Sequence, residues 1–593
     1  MQSSRNSPEP LQTDRQGHMV GPSSGASFLL RVQKKLAEQA SHFSLDSSIF
    51  TFGDLPLPEC DRSFFILPPQ NKAKQLLERY FEFTVATHRY LHRGTMEAWL
   101  DELYETGGKM WAEGARSRTA LLFMIFAQTQ IYTPGEEEQD SGSSAHFFHA
   151  AEHQLSEEKG ELRLSSVQAR LCQCFYLLSQ SRINHCWSLF GTLSHLLLAL
   201  GVHRKGSIRR GLDSLPSTDL VEFECRKRTF WCAYNLDTYL SAILGRPRAF
   251  HDEDINQEYP ACVGDSDLDL GIVLPSPERP LPEMAAPIAH IKISRIMARI
   301  LREFYGLKTP STQDRIELAK KFTLELEMWH EDMGLLLGDN GIHTSLLLPL
   351  FQRQRNVLNL AYWHAQLLVH RPFLLSNFAS LSNYGTAQTR SKKNEAFRKN
   401  VEQCLEAATN ITKAVEELEE RKQLYRAFWF TYYFAFCAIV VLYVHTIQQR
   451  TSSTPESSYL PHFDRASRCQ ATLSRNAREG SLVYRYGLVL DELRREVLRN
   501  NPTLQYRITT DRDGLPALSS DSGLGGDFLG SAGLEGSGGL GPVSGVEGLD
   551  LTVQLESLSD ETSPVGSIAQ MTSWGQFDSL VRKPEMIGGS LID

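Results

Sequence analysis

Residues Leu220–Pro260 read LVEFECRKRTFWCAYNLDTYLSAILGRPRAFHDEDINQEYP. No Gly or Pro interrupts Leu220–Leu244, and the run then meets Gly245, Arg246 and Pro247. A glycine at that point supplies a helix C-cap, and the residue before a proline is forced extended, so the pattern predicts one long helix with a firm stop. Glu224 and Arg228 stand four apart in the favourable order for a helical ion pair. Arg226 and Asp237 stand eleven apart, three turns, and so fall on nearly one face. The physical reading is a long helix with a polar seam meeting a capped turn, and a structural role for Arg226, Arg228, Asp237 and Arg246 is the expectation.

Working outward, the same periodicity recurs on both sides. Apolar stripes predict helices at Asn71–Leu91, Arg118–Tyr132, Ser144–Leu155, Ser165–Ser179 and Trp187–Leu200, the last closed by Gly201. Beyond a Pro-, Gly- and Asp-rich connection at Val263–Pro282, helices are expected at Ile288–Phe304, Thr312–Leu335, Leu346–His370, Asn394–Leu418, Tyr425–His445 and Arg465–Leu498. Period-two alternation is almost absent, and no repeat of solenoid length stands out. The expected fold class is all-α: a large irregular multi-helix domain at 64–500, between a disordered leader at 1–63 and a disordered acidic tail at 501–593. Within the leader, Phe28, Val32 and Leu36 share one face of a short amphipathic patch.

The chain of 593 residues has a formal charge of −9, which on its face argues against nucleic acid as a partner. Between Thr509 and Leu580, however, eleven acids face one base, a local net of −10, so the helical body is close to neutral. Ten cysteines are scattered singly apart from Cys172 and Cys174, whose single-residue spacing is not that of a structural zinc site. Buried, reduced thiols are expected. Ala427–Val444 runs eighteen residues without a charge, at the lower edge of a bilayer span. Six of its eight aromatics fall in the first half instead of flanking both ends, which favours a core helix over a membrane one.

Catalytic motifs are sparse. His149, Glu152 and His153 form H-x-x-E-H, the inverted zinc-peptidase pattern, with Glu222 or Glu224 as a distant third ligand. An ordinary amphipathic helix end is the competing reading, and a zinc metalloprotease is kept only as a minor alternative. No phosphate loop or nucleophile elbow follows a strand. His364 and His370, six apart, read as core or helix-end histidines. Arg209 with Arg210, Arg226–Arg228, and Lys392 with Lys393 are too short and separated for a phosphate-binding stripe. No catalytic, cofactor or metal residue is assigned, and the chain is expected not to be an enzyme.

At this point a resemblance becomes specific. Glu224, Arg226, Arg228, Phe230, Trp231, Asp237, Gly245, Arg246, Pro247, Asp254, Ile255 and Pro260 follow the signature order of the fungal-specific transcription factor domain, the middle homology region of fungal binuclear zinc-cluster regulators. Leu200, Gly201, Val202, His203 and Arg204 resemble an upstream landmark, and Leu367–Leu375 and Cys404–Ile411 resemble later ones. The resemblance covers about Phe64 to Leu498. It implies a nuclear regulator of RNA polymerase II-dependent transcription of a metabolic or biosynthetic gene set, able to form homo- or heterodimers, with no membrane role.

The family's DNA reader is a six-cysteine cluster holding two zinc ions, and this sequence contains no such cluster. Zinc is therefore implied by the family only, and DNA contact would come from an absent cluster or from a partner. Gly21–Val32 resembles the segment that normally follows the zinc module and its linker. A second reading is thus a non-DNA-binding modulator acting through a full-length zinc-cluster partner. In the tail, Leu549, Leu551, Leu555 and Leu558, then Trp574 and Phe577, sit among acids in a glycine-rich context. That pattern fits an activation segment contacting coactivators or the transcription machinery, and equally a plain solvated tail.

Overall fold

A computed structural model describes residues 18–499, with breaks at 40–66 (54 and 57 excepted), 109, 111–113, 134–140, 159–161, 207–216, 275–281, 309, 339–346, 377–386 and 452–454. Residues 12 and 13 are also described. The tail, with Leu549, Leu551, Leu555, Leu558, Trp574 and Phe577, lies outside the described residues, as do Arg209 and Arg210.

Among the described residues, regular structure is helical apart from one antiparallel pair of two-residue strands, Gln12–Thr13 with Met19–Val20. The helices are α1 Gly25–Gln39, α2 Gln70–Arg79, α3 Arg93–Glu105, α4 Ala115–Gln130, α5 Ser141–Ser156, α6 Leu164–Ser179, α7 Ile183–Ala199 and α8 Ser217–Leu244. After a short α9, Asp265–Asp269, follow α10 Ala285–Tyr305, α11 Thr312–Asp332, α12 Gly334–Leu337, α13 Pro349–Ser376, α14 Ala387–Glu420, α15 Trp429–Thr451, α16 Glu456–Asn476 and α17 Leu482–Leu498. The chain is all-α, as its periodicity predicts.

Packing follows the amount of apolar surface on each helix. Helices α4, α8 and α15 are buried almost all round, so they lie inside. α4 packs against α2, α5 and α6, α8 against α6, α7 and α10, and α15 against α1, α13, α14, α16 and α17. The apolar run expected as a core helix is therefore surrounded by protein, with nearly all of Trp429–Gln449 buried. Helices with one polar face, such as α11 and α16, complete the outside.

Four local departures have physical causes. The helix expected at Asn71–Leu91 ends in a π-turn at Tyr80–Thr84, because arginines take its last carbonyls: Arg89 donates to Phe81 O (2.6 Å), and Arg353 donates to Phe83 O and to Thr84 O (3.0 Å). The helix α3 was not expected, although Met96, Leu100 and Leu103 lie at helical spacing on its buried face. The single helix expected at Arg465–Leu498 is two: Gly480 turns with φ +76°, and the Ser481 hydroxyl accepts from Tyr484 N at 3.2 Å, capping α17. Finally, Gly21–Val32 lies within the range expected as leader but is packed into the body, with Phe28, Leu29 and Val32 buried. Its apolar face is the reason: burying three such side chains contributes about 5–8 kcal/mol before chain entropy is charged.

Candidate functional site: the signature helix and the segment docked on its end

From Lys227 to Leu244 every residue of α8 is buried, so each polar group on it must find a partner inside the protein. Glu224, 2% exposed, accepts from Lys227 Nζ at 2.7 Å and from Ala261 N at 2.8 Å. The ion pair expected between Glu224 and Arg228 does not form. Arg228 instead donates to Asp265 Oδ1 at 2.6 Å, and Asp265 Oδ2 accepts from Arg93 N at 2.8 Å. This carboxylate thus ties α8 to the N-terminus of α3, where negative charge is favoured. Burial works to raise the Asp265 carboxyl, but the Arg228 charge and these hydrogen bonds outweigh it and hold the group below the ordinary aspartate value.

Asp237 is fully buried and has a different set of partners. Its Oδ1 accepts from Ala249 N at 2.9 Å, and its Oδ2 accepts from Phe250 N at 3.1 Å and Arg248 Nε at 3.2 Å. Burial pushes this carboxyl above its ordinary value, with Arg248 and the two backbone N–H groups pulling against that rise. Asp237 therefore folds the chain after the Gly-Arg-Pro turn back onto α8. Arg226, expected to share its face, reaches the other way and donates to Leu200 O at 2.7 Å, joining α8 to the landmark turn after α7.

The aromatic pair has one apolar and one anchoring member. Phe230 is enclosed, its ring 5.5 Å from that of Phe250. Trp231 donates its indole N–H to Glu258 O at 2.8 Å, which fixes the segment beyond the turn. Tyr234 OH donates to Asp252 Oδ1 at 2.7 Å, and Arg248 lies 4.4 Å over the Tyr234 ring.

At the end of α8 the backbone of Gly245 adopts φ +68°, and a Cβ there would stand 2.3 Å from Gly21 C. Gly21 is equally constrained, since its own Cβ would meet Gly245 O at 1.8 Å. Two glycines are required because two backbones touch. Gly21 N donates to Leu244 O at 2.9 Å, satisfying a helix-end carbonyl, and Ser23 Oγ donates to Ser241 O at 3.1 Å. Arg246 donates to Met19 O (3.1 Å) and Asn184 Oδ1 (2.9 Å), Arg31 to Pro22 O (2.5 Å) and Arg371 to Ser23 O (2.5 Å). Arginines from α1, α13 and the turn after α8 thus grip the backbone of 19–23. Sequence reasoning singled out Arg246 but missed Gly21, Arg31, Arg248, Asp265 and Arg371. A second Arg directly after the Gly-Arg-Pro turn was the readable signal for Arg248; the others depend on contacts distant in sequence.

The remaining candidates fall apart spatially. His149 and Glu152 are 3.4 Å apart on α5, while Glu224 is engaged by Lys227 and Ala261 N and Glu222 is exposed. Among the described residues no three His, Cys, Asp or Glu side chains gather in a metal-binding arrangement. Burial pushes the Cys172 and Cys225 thiols up to about 12, the direction of structural and not ligating cysteines. His364 and His370 are core residues, with His370 Nδ1 2.8 Å from Asn400 Oδ1.

Comparison with known proteins agrees with this geometry. Residues 77–331 match the fungal specific transcription factor domain, a span containing α8 and its turn. Activator of stress genes 1 of Saccharomyces cerevisiae is 25% identical over 426 residues, covering 70% of this chain and 42% of that protein. A putative transcriptional regulatory protein of the same yeast is 24% identical over 396 residues, 64% of this chain and 51% of its own length. Activator of stress genes protein 1 of Candida albicans is 23% identical over 404 residues, 63% of this chain and 40% of its own. The chain therefore spans about half the length of these relatives or less.

Proposed function

This chain carries a fungal specific transcription factor domain, and from that premise we propose that it regulates RNA polymerase II-dependent transcription of a metabolic or biosynthetic gene set in the nucleus. The observation that carries the reading is the seat at the end of α8. There the signature turn Gly245–Pro247 holds residues 19–24 by backbone contact. Gly21–Val32 resembles the segment that follows the zinc module and its linker in the family. A rigid seat there lets the helical body set the position of whatever lies on the N-terminal side.

Zinc and direct DNA contact belong, on this reading, to a cluster outside this sequence or to a partner chain. The ten cysteines of this sequence run singly from Cys60 to Cys469 apart from Cys172 and Cys174, and the second reading is a modulator paired with a full-length zinc-cluster regulator. The acidic tail is proposed as the surface that meets coactivators or the transcription machinery.

Chromatin immunoprecipitation of the epitope-tagged chain, with transcript profiling of its deletion strain, tests the proposal. Enrichment at promoters of genes whose transcripts change is expected. Enrichment that disappears when related zinc-cluster genes are deleted selects the modulator reading, and none above an untagged control contradicts both.

A further inference from the structure

The π-turn Tyr80–Thr84 and the loop after it, the start of α13 and the start of α15 enclose a cavity of about 120 Å³. Its walls are aromatic: Phe83, Tyr132, Phe175, Phe428, Phe430 and Phe434. Among its lining residues Arg353 is the one carrying a full charge, and no carboxylate faces it. The Arg353 guanidinium lies 4.5 Å from the Phe83 ring centre, 4.6 Å from Phe428 and 5.4 Å from Tyr132. Burial lowers Arg353 to about 10, so it remains a cation at neutral pH. Rings and two carbonyl dipoles offset part of the cost of burying it, and a counter-anion would offset the rest.

Two further groups await partners. His88 Nε2 and Thr84 Oγ1 line the same cavity, are buried, and have no hydrogen-bond partner among the described residues. Native proteins leave few buried polar atoms unsatisfied, and an apolar pocket with a few converging polar groups is the usual form of a small-molecule site. The neighbouring polar trio is already satisfied, with His290 bonded to Tyr239 OH at 2.7 Å and to Thr87 Oγ1 at 2.8 Å. A π-turn, which recurs at functional sites, forms the rim.

We propose that this cavity binds a small planar apolar molecule bearing one anionic group, a single-ring aromatic carboxylate in chemical class. The ring system stacks among the Phe and Tyr side chains. The carboxylate meets Arg353 and accepts from His88 Nε2–H and the Thr84 hydroxyl. The site goes beyond the transcriptional reading and does not depend on it, because binding is a property of the purified chain.

Isothermal titration calorimetry of the full chain tests this with benzoate, a single ring matched to the cavity's size, and, as the uncharged match, benzyl alcohol. Saturable 1:1 binding of the carboxylate is expected, about tenfold or more tighter than the alcohol. Arg353→Met should bring the two probes to equal affinity. If that variant fails to fold, Val357→Trp, which fills the cavity and leaves the charge in place, should abolish binding of both. No saturable binding of benzoate by about 1 mM, equal affinity for the two probes, discrimination that survives Arg353→Met, or wild-type binding by Val357→Trp would each overturn the assignment.

Discussion

Asp237 shows how much one side chain can fix. Its carboxylate accepts from Arg248 and from two backbone N–H groups, so replacement by Ala removes the acceptor from one buried donor, Phe250 N, and from two half-buried ones. Asp237→Ala should cost about 2–4 kcal/mol in chemical unfolding, and a loss under about 0.5 kcal/mol would contradict the role given to it. The histidines make a second residue-scale prediction. Burial lowers His88 and His370 to about 4 and His364 to about 3, against 6.5 for a free imidazole. As pH falls below about 6.5 the unfolded chain takes up these protons and the folded chain does not. Stability is therefore lost between about pH 6.5 and 4, by up to about 1.4 kcal/mol per pH unit for each such histidine. Asp237, whose carboxyl burial raises, acts in the opposite sense near the bottom of that window. Urea midpoints between pH 7.5 and 4.5 check this, and a flat profile would contradict it.

At the scale of elements, the prediction concerns the docked segment. A Cβ at Gly245 would overlap the Gly21 backbone, and φ +68° disfavours any side chain, so Gly245→Val should release residues 19–32 from the end of α8. Hydrogen exchange at Phe28, Leu29 and Val32 should accelerate at least about tenfold, and unchanged protection would contradict the seat. Most helices were legible from apolar spacing, because a helix that buries one stripe writes that stripe into its sequence. What spacing could not show was where distant arginines take helix carbonyls. Arg353, some 270 residues from Phe83, helps end the π-turn, and no local signal marks that. Within the signature, Arg226, Arg228 and Asp237 were legible as polar groups on a buried helix. Their partners Leu200, Asp265 and Arg248 were not, since i,i+4 spacing is only one of several ways to satisfy a buried charge.

For the whole molecule, charge divides the labour. The helical body is near neutral and encloses its polar seam, while the stretch Thr509–Leu580 holds the −10. On the proposed reading, the body holds an N-terminal segment and the acidic apolar-studded stretch meets the transcription machinery. The direct measurement joins the full chain to an unrelated DNA-binding domain and reads a reporter gene in a fungal host, with and without residues 509–593. The account predicts a several-fold change in reporter output that shrinks markedly when the acidic stretch is removed. Output identical to the bare DNA-binding domain in both cases would contradict it.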